Sequence, residues 1–343
     1  MTQKNIGCLG IVLLILLAGS VLLNFIFIIA QSANASASLI TNKAPHFEEG
    51  VVVDAKSGKD DKETDGKIAL ISLRGIITAA EPGSIGESVV DDLKLQCKQA
   101  GEDDKVKAVV LHIDSPGGEV TASDIIYNAV RKVRDQHKKP VVVCMGSLAA
   151  SGGYYVACGG SWILANETTF TGSIGVIMQT LNYKDLFGKV GLASVTFKSG
   201  AFKDMLSGSR DMTDPEREYI QGLVMQTYGK FVGIVAKERK LDEKTLREGV
   251  ADGRVISGKD ALAAKLINGF GDLEEAYAKA AELAKIKNPS VIRYESPFRL
   301  GRLFHLLGRS ESASRKVEIN IAETLKPKLE AGRLYFLPAF YAP

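Results

Sequence analysis

The stretch KAVVLHIDSPGGEVTASDIIYNAVRKVRDQHKKPVVVCM (residues 107–145) decides the fold class. It begins and ends in near-continuous apolar runs, residues 107–114 and 140–145, which are typical of strands in a parallel sheet covered on both faces. Between the runs, four apolar residues recur with the period of a helix: Ile125, Ile126, Ala129 and Val133. A strand, a helix and a second strand in this order form a βαβ unit, so the sequence predicts an α/β fold.

Segments on either side continue this alternation. KIALISLRGII (67–77) predicts a strand, and SVTF (194–197) predicts another one after a helical pattern. Thr213 and Glu216 form a capping-box signature with Pro215 in the first turn, which predicts a long helix ending near Lys240. Residues 251–280 predict a turn followed by two helical segments.

Composition excludes some functions. The net charge is only +3, and Lys and Arg are interspersed with Asp and Glu, so we expect no nucleic-acid partner. The four cysteines and four histidines lack metal-ligand spacing. We therefore expect no metal and no cofactor.

The segment MGSLAASGGYY (145–155) follows directly on a predicted strand. Ser151 lies between Ala-Ala and Gly-Gly at a strand-to-helix junction, where free amides and the helix dipole favour developing negative charge. This position suits a nucleophile. The alternative is that Ser151 is only an N-cap and the two glycines are only a turn.

A second Gly-Gly pair ends the segment DSPGG (114–118). Loops at the carboxyl ends of parallel strands open on one edge of the sheet, so this loop should face the Ser151 turn. We predict that the amides of Gly118 and Gly152 form an oxyanion hole. An ordinary Pro-Gly turn is the alternative.

A serine nucleophile needs a base. His112 lies in mid-strand, which favours a packed side chain, whereas Lys198 and Lys203 follow the predicted strand SVTF. A lysine has a pKa of about 10.4, and burial among apolar groups lowers it, so a desolvated lysine can accept the serine proton. A Ser–Lys pair is a known variant of the Ser-His-Asp triad. Each lysine could instead be a solvated surface charge.

Five segments, taken in order, resemble the successive motifs of the signal peptide peptidase A family. They are DSPGG, MGSLAASGGYYVA (145–157), TGSIGVIMQ (171–179), KSGAFKDMLSGSRDMTDPERE (198–218) and ADGRVISGKDA (251–261). The likeness extends from about Lys67 to Ala284. It implies a Clp-protease/crotonase-like fold of stacked ββα units and a serine endopeptidase that cuts remnant signal peptides or other extended apolar peptides.

The resemblance also assigns roles to residues. Ser151 corresponds to the nucleophile, Lys203 to the base with Lys198 as runner-up, and Ser173 to a hydroxyl that holds the lysine amine. Ser147 is a less favoured nucleophile because no Gly-Gly follows it. The chain departs from many relatives at residues 266–271. It also has one catalytic-type domain where long members carry two, so we expect a ring-like homo-oligomer.

The amino-terminal sequence predicts membrane attachment. Residues 6–30 are uncharged and long enough to cross a hydrocarbon core of about 30 Å, although Ala33-Asn34-Ala35 and Ala35-Ser36-Ala37 resemble signal cleavage sites. We predict a single-pass anchor in the cell membrane with residues 1–5 cytoplasmic and the catalytic domain extracytoplasmic.

The remaining chain divides into three predicted parts. Residues 31–66 form a flexible tether, residues 67–290 the peptidase domain, and residues 291–343 a carboxyl-terminal tail for subunit packing or the membrane surface. Because fold does not fix function, a membrane-tethered scaffold without proteolysis is the alternative function, and an acyl-CoA hydratase is a weaker one.

Overall fold

The computed structural model of the chain describes residues 17, 19–24, 47–54, 65–79, 88–295 and 334–336. The chain divides into two compact units, residues 1–46 and residues 47–343. In the smaller unit, residues 19–24 are helical. Most of the predicted anchor at 6–30 lies outside the described residues. Within the part that is described, no helix combines the length and the apolar character needed to cross a bilayer.

The larger unit contains one sheet, whose ten strands are β1 (Glu48–Val53), β2 (Lys67–Ile77), β3 (Val106–Glu119), β4 (Val141–Ala150), β5 (Trp162–Ala165), β6 (Phe170–Gly172), β7 (Val255–Ser257), β8 (Gly269–Phe270), β9 (Ser290–Glu295) and β10 (Tyr335–Phe336). The main path runs β1-β9-β2-β3-β4-β5-β8. All neighbours along it are parallel except β1 and β9. The predicted α/β class is confirmed, with a mixed sheet.

Helices cover both faces of this sheet. They are α1 (Val89–Glu102), α2 (Val120–Asp135), α3 (Gly152–Ala157), α4 (Lys184–Lys189), α5 (Asp214–Arg239), α6 (Glu243–Glu248), α7 (Gly258–Ala263) and α8 (Leu273–Ala284). The predicted long helix is α5, and the capping box of Thr213 and Glu216 is present at its start. The two helical segments predicted after residue 251 are α7 and α8.

Side chains of the central strands alternate between two hydrophobic cores, one on each face of the sheet. Val109 and Leu111 of β3 pack in the larger core with α1 and α2, whereas Ala108 and Val110 point to the smaller core beside α8. Burial on both faces explains why β3 and β4 are almost continuously apolar.

Two segments differ from their sequence predictions. Residues 48–53, inside the predicted tether, form β1, because the apolar run Gly50–Val53 pairs with β9. SVTF (194–197) is not a strand in the structure. No strand of the described chain lies beside it to complete a ladder, and the Phe197 side chain is 95% exposed.

Candidate active site

Ser151 occupies the junction between β4 and α3, as the sequence predicts. Its backbone has φ 52° and ψ −115°, a conformation that is costly for a non-glycine residue and clusters at functional sites. The side chain makes no capping hydrogen bond, so the alternative of a simple N-cap is wrong. Within the described chain, the buried hydroxyl oxygen has no hydrogen-bond partner at all. The Ser151 hydroxyl is therefore available to form a hydrogen bond with a group that does not belong to the described chain.

The short strand β6, which pairs with both β4 and β7, fixes the backbone at Ser151. Ala150 pairs with Gly172 of β6, and the Ser151 N–H donates to the Gly172 carbonyl over 2.8 Å. Ser173 follows immediately, is buried, and donates its own N–H to the Arg254 carbonyl over 2.8 Å. The structure thus brings Ser173 next to Ser151 through their backbones.

The predicted oxyanion donors also converge. A Cβ added to Gly152 would lie 2.6 Å from Ser123 Oγ and 3.1 Å from the Gly118 nitrogen. A Cβ added to Gly117, whose φ is +103°, would lie 2.5 Å from the Gly152 nitrogen. Side chains at these positions would fill the space between the two amides, so glycine is required there.

DSPGG is the end of β3 rather than a loop or an ordinary Pro-Gly turn. The buried hydroxyl of Ser115 accepts a hydrogen bond from the Gly117 N–H over 3.1 Å. The Asp114 carboxylate accepts one from the Leu148 N–H over 3.1 Å, which joins the ends of β3 and β4. These bonds hold the glycine pair in place before any substrate arrives.

Residues 334–336 lie across this site as an extended segment. Tyr335 exchanges two backbone hydrogen bonds of 3.1 Å with Ile177, and the Leu334 carbonyl accepts from the Val120 N–H over 3.3 Å. On the β3 side, Tyr335 pairs with Glu119 and Phe336 with Gly118. The segment is therefore an added antiparallel strand, which is how many peptides bind at a sheet edge.

The register of this added strand aims one carbonyl at the predicted oxyanion hole. Hydrogen-bonded pairs alternate along an antiparallel ladder, so the bond at Leu334 makes Phe336 and Gly118 the next hydrogen-bonded pair. A Cβ on Gly117 would lie only 2.1 Å from the Phe336 oxygen. The Phe336 carbonyl oxygen therefore lies beside Gly117, close to the Gly152 nitrogen.

An aromatic cavity receives the Phe336 side chain. Its ring stacks on Tyr155 at 4.9 Å between centroids and contacts Phe231 at 4.7 Å, and it is fully buried. The Tyr155 hydroxyl donates to Asp124 over 2.6 Å, and burial raises the pKa of Tyr155 well above its usual range. This cavity suits a large apolar side chain next to the reacting carbonyl.

The sequence predicts the tail as an apolar element for packing or for the membrane surface and leaves open whether it occupies the substrate groove. Alternation in Leu334-Tyr335-Phe336 is too short to predict a strand, and the pairing depends on groups far along the chain. Most of the tail at 291–343 lies outside the described residues.

The two candidate lysines lie elsewhere, and they differ from each other. Lys198 Nζ forms an ion pair with Asp204 over 2.7 Å and also donates to the Ala201 carbonyl over 3.0 Å. Lys203 Nζ has no hydrogen bond or ion pair among the described residues. Because the Lys198 amine is already engaged by a carboxylate and a carbonyl, Lys203 is the better candidate base.

Both lysines belong to a projecting segment, residues 181–230, that we call the arm. Of its residues, only Gly208 and Glu216 are buried. The arm includes residues 214–230 of α5, and Glu216 lies about 22 Å along that helix from Phe231, which contacts Tyr155. No contact in the described chain joins Ser151 to Lys198 or Lys203. Ser147, the less favoured nucleophile, is exposed.

The part of the chain that carries this site is similar to known proteases. Residues 133–287 match the profile of Peptidase family S49, and residues 71–166 match that of Clp protease. A candidate signal peptide peptidase SppA of Enterococcus faecium is 36% identical over 238 residues, which cover 67% of each chain.

Two further relatives extend the comparison. A candidate protease of Synechocystis sp. is 38% identical over 218 residues, covering 64% of this chain and 74% of that protein. Protease 4 of Salmonella typhi is 36% identical over 231 residues, which cover 67% of this chain but only 36% of Protease 4.

Proposed function

We propose, from the premise that this chain belongs to the S49 family of serine proteases, that it is a Ser–Lys endopeptidase for extended apolar peptides, including remnant signal peptides. One observation carries the proposal. An extended segment pairs with the end of β3, its Phe336 oxygen lies beside Gly117 and close to the Gly152 nitrogen, and the buried Ser151 hydroxyl has no partner among the described residues. That is the pose a substrate needs.

The reaction follows from these positions. The neutral Lys203 amine takes the proton of the Ser151 hydroxyl, and the serine oxygen attacks the peptide carbonyl carbon. The amides of Gly118 and Gly152 stabilise the oxyanion. The lysine ammonium then protonates the leaving amine as the peptide bond breaks. Water attacks the resulting acyl-enzyme, with the same lysine accepting its proton, and Ser151 is released.

We infer that Lys203 reaches Ser151 from a neighbouring copy of the chain. In the arm that carries Lys203, large apolar side chains are exposed, including Val195 at 76% and Phe197 at 95%. Exposed apolar surface of this kind marks an interaction site. Docking would desolvate the lysine, favouring its neutral form, and would supply the missing partner of Ser151. The functional unit is then a homo-oligomer.

Substrate preference follows from the groove and the cavity. Strand addition on both sides of the peptide selects an unfolded, extended chain. The Tyr155 and Phe231 walls favour a large apolar residue before the cleaved bond, and remnant signal peptides are rich in such residues. The uncharged run at 6–30 supports a membrane anchor beside these substrates. A carbonate-resistant membrane fraction for the full chain, lost when residues 6–30 are deleted, tests the anchor.

Covalent labelling tests the chemistry. A fluorophosphonate probe should label Ser151 in the full chain, and labelling should disappear in Ser151→Ala and fall steeply in Lys203→Ala. Lys198→Ala is the matched control, because that amine is already paired, and it should retain most labelling. Unchanged labelling in both the Ser151→Ala and Lys203→Ala variants would reject the dyad and favour a scaffold.

Mixing tests the intersubunit lysine. Ser151→Ala and Lys203→Ala chains are each inactive, but a mixed oligomer can combine an intact serine with an intact lysine. Partial recovery of peptidase activity after the two variants are mixed is expected. If each chain used its own lysine, the mixture would remain inactive.

A further inference from the structure

A dense ionic cluster lies within the arm and includes Asp204, the residue that follows Lys203. Asp204 receives two hydrogen bonds from Arg210, of 2.9 Å from Nε and 2.6 Å from Nη2. The same guanidinium binds Glu216 over 2.9 Å from Nη1 and 2.5 Å from Nη2. Bidentate pairs of this type fix direction as well as distance.

Glu216 carries this link into the helix. Its carboxylate accepts the backbone N–H of Thr213 over 2.8 Å and the Thr213 hydroxyl over 2.9 Å, which closes the capping box of α5. The Glu216 side chain is only 4% exposed although it lies in the exposed arm. A continuous chain of charged bonds therefore joins the residue after Lys203 to the start of a 26-residue helix.

We propose that Arg210 is a positioning residue for the catalytic lysine: it locks the 198–204 loop to the start of α5 and takes up the charge of Asp204. The inference rests on the proposed function, because it assumes that Lys203 is the base.

The Arg210 contacts fix the position of the 198–204 loop. Arg210 also donates to the Asp204 and Asp211 carbonyls, over 3.3 and 2.9 Å, so the guanidinium holds the loop backbone as well as its carboxylate. Without Arg210, Lys198 is the only ion-pair partner of Asp204 among the described residues. Lys198 belongs to the same loop, so it cannot tie the loop to the helix. The amine would then enter the neighbouring site in a range of positions.

The Arg210 contacts also neutralise the charge of the Asp204 carboxylate. Paired with Arg210 and Lys198, Asp204 has a pKa held well below its usual range. Its carboxylate is only 12% exposed and is shared by two cations. If Arg210 were absent, the carboxylate would be available to the adjacent Lys203 and would favour its charged form. The titratable and charged groups packed around the loop in the described chain are Lys184, Lys198, Asp204, Arg210, Asp211, Glu216 and Tyr219.

The experiment compares three variants of the full chain by kcat, KM and the pH profile of kcat/KM. Arg210→Met should lower kcat by about tenfold to a hundredfold with little change in KM, since the groove is untouched. The acidic limb of its profile should move up by about one pH unit, because Asp204 is left less neutralised. Added guanidinium should restore part of the activity.

Asp204→Ala separates the two effects. It breaks the link to the loop but leaves Arg210 on Glu216 and the capping box intact, so it stays informative if Arg210→Met fails to fold. Its kcat should fall by a similar factor while the acidic limb stays in place. Arg293→Met, which breaks an exposed pair with Glu295, is the matched control and should behave like the wild type.

The outcomes separate this inference from the proposed function. The role of Arg210 alone would be overturned in either of two cases, provided that activity still depends on Lys203. In the first, folded Arg210→Met has the kcat and the pH profile of the wild type. In the second, Asp204→Ala has the kcat of the wild type. Full activity in Lys203→Ala would overturn the proposed base and this inference with it. A loss of kcat in Arg210→Met without any shift of the acidic limb would overturn the charge component.

Discussion

The body of the larger unit and its arm have opposite surface properties. In the body, Ser151, Gly118 and Gly152 are held by buried strands and by hydrogen bonds that leave little freedom. In the arm, residues 181–230, only Gly208 and Glu216 are buried, and the base candidate Lys203 has no partner in the described chain. In our proposal, the body holds the nucleophile and the oxyanion donors, whereas the arm of a second copy brings the base.

This contrast separates two ways of preparing a catalytic group. The proposed nucleophile and oxyanion donors obtain their geometry from packing within the fold, so their positions are set before any association. In the same proposal, the lysine obtains its position from the small ionic cluster centred on Arg210 and its desolvation from a neighbouring copy. Changes in the two regions should therefore have different signatures.

The largest effect is expected at Gly117, in the body. Gly117→Ala would place a Cβ 2.1 Å from the Phe336 oxygen and 2.5 Å from the Gly152 nitrogen, so it should lower kcat/KM by about a hundredfold or more. Steady-state hydrolysis of a fluorogenic peptide with Phe before the scissile bond measures this.

Gly75→Ala is the matched control, because Gly75 also has a positive φ, +75°, but no atom lies within 4 Å of its added Cβ. It carries the backbone strain without the blockage. An equal loss of activity in both variants would show that strain, and not the groove, is responsible.

Phenylalanine substitutions compare the two regions by stability. Phe231→Ala removes a fully buried ring that contacts Tyr155 and Phe336, and should cost about 3 kcal/mol of unfolding free energy. Phe197→Ala changes a ring that is 95% exposed and should alter it by less than about 0.5 kcal/mol in the dissociated chain. Urea unfolding at low protein concentration gives both values. Similar losses would mean that the arm packs on its own body.

Much of the body was predictable from the sequence, and the reason is physical. Apolar runs such as 107–114 are typical of strands buried on both faces, and the Gly-Gly pairs at the end of β3 and directly after Ser151 mark the sheet edge where the backbones approach closely. Local signals therefore predicted the α/β fold and the convergence of Gly118 and Gly152.

The arm and the tail were less predictable because their structure depends on distant partners. SVTF has the composition of a strand but finds no neighbouring strand in the described chain. The occupancy of the groove by residues 334–336 depends on Ile177 and Val120, more than 150 residues away in sequence. The position of Lys203 relative to Ser151 could not be predicted from the number of residues between them in the sequence.

A third substitution tests whether the groove is available to other peptides. Phe336→Ala should raise kcat/KM about tenfold, mainly by lowering KM, because an aromatic side chain no longer competes for the Tyr155 and Phe231 cavity. Phe170→Ala, at an exposed ring of β6, is the control and should leave KM unchanged. An unchanged KM in Phe336→Ala would mean that the segment leaves the groove readily.

The smallest effect is a pH dependence confined to the start of α5 in the arm. Pairing with Arg210, and then the hydrogen bond from the Thr213 amide, lower the pKa of Glu216 from its usual value to about 2. A carboxyl with a depressed pKa contributes stability that is complete above its unfolded value, about 4.5, and is lost as the pH falls towards 2.

The difference in Tm between the wild type and Glu216→Gln isolates this contribution. The glutamine keeps the shape but not the charge, so the wild type should have the higher Tm at pH 6, and the two values should converge between pH 4.5 and 2. A difference that persisted unchanged at pH 2 would mean that Glu216 acts through packing rather than through its charge on Arg210. The link between the arm and the helix would then be steric, and the acidic limb of activity should no longer depend on Arg210.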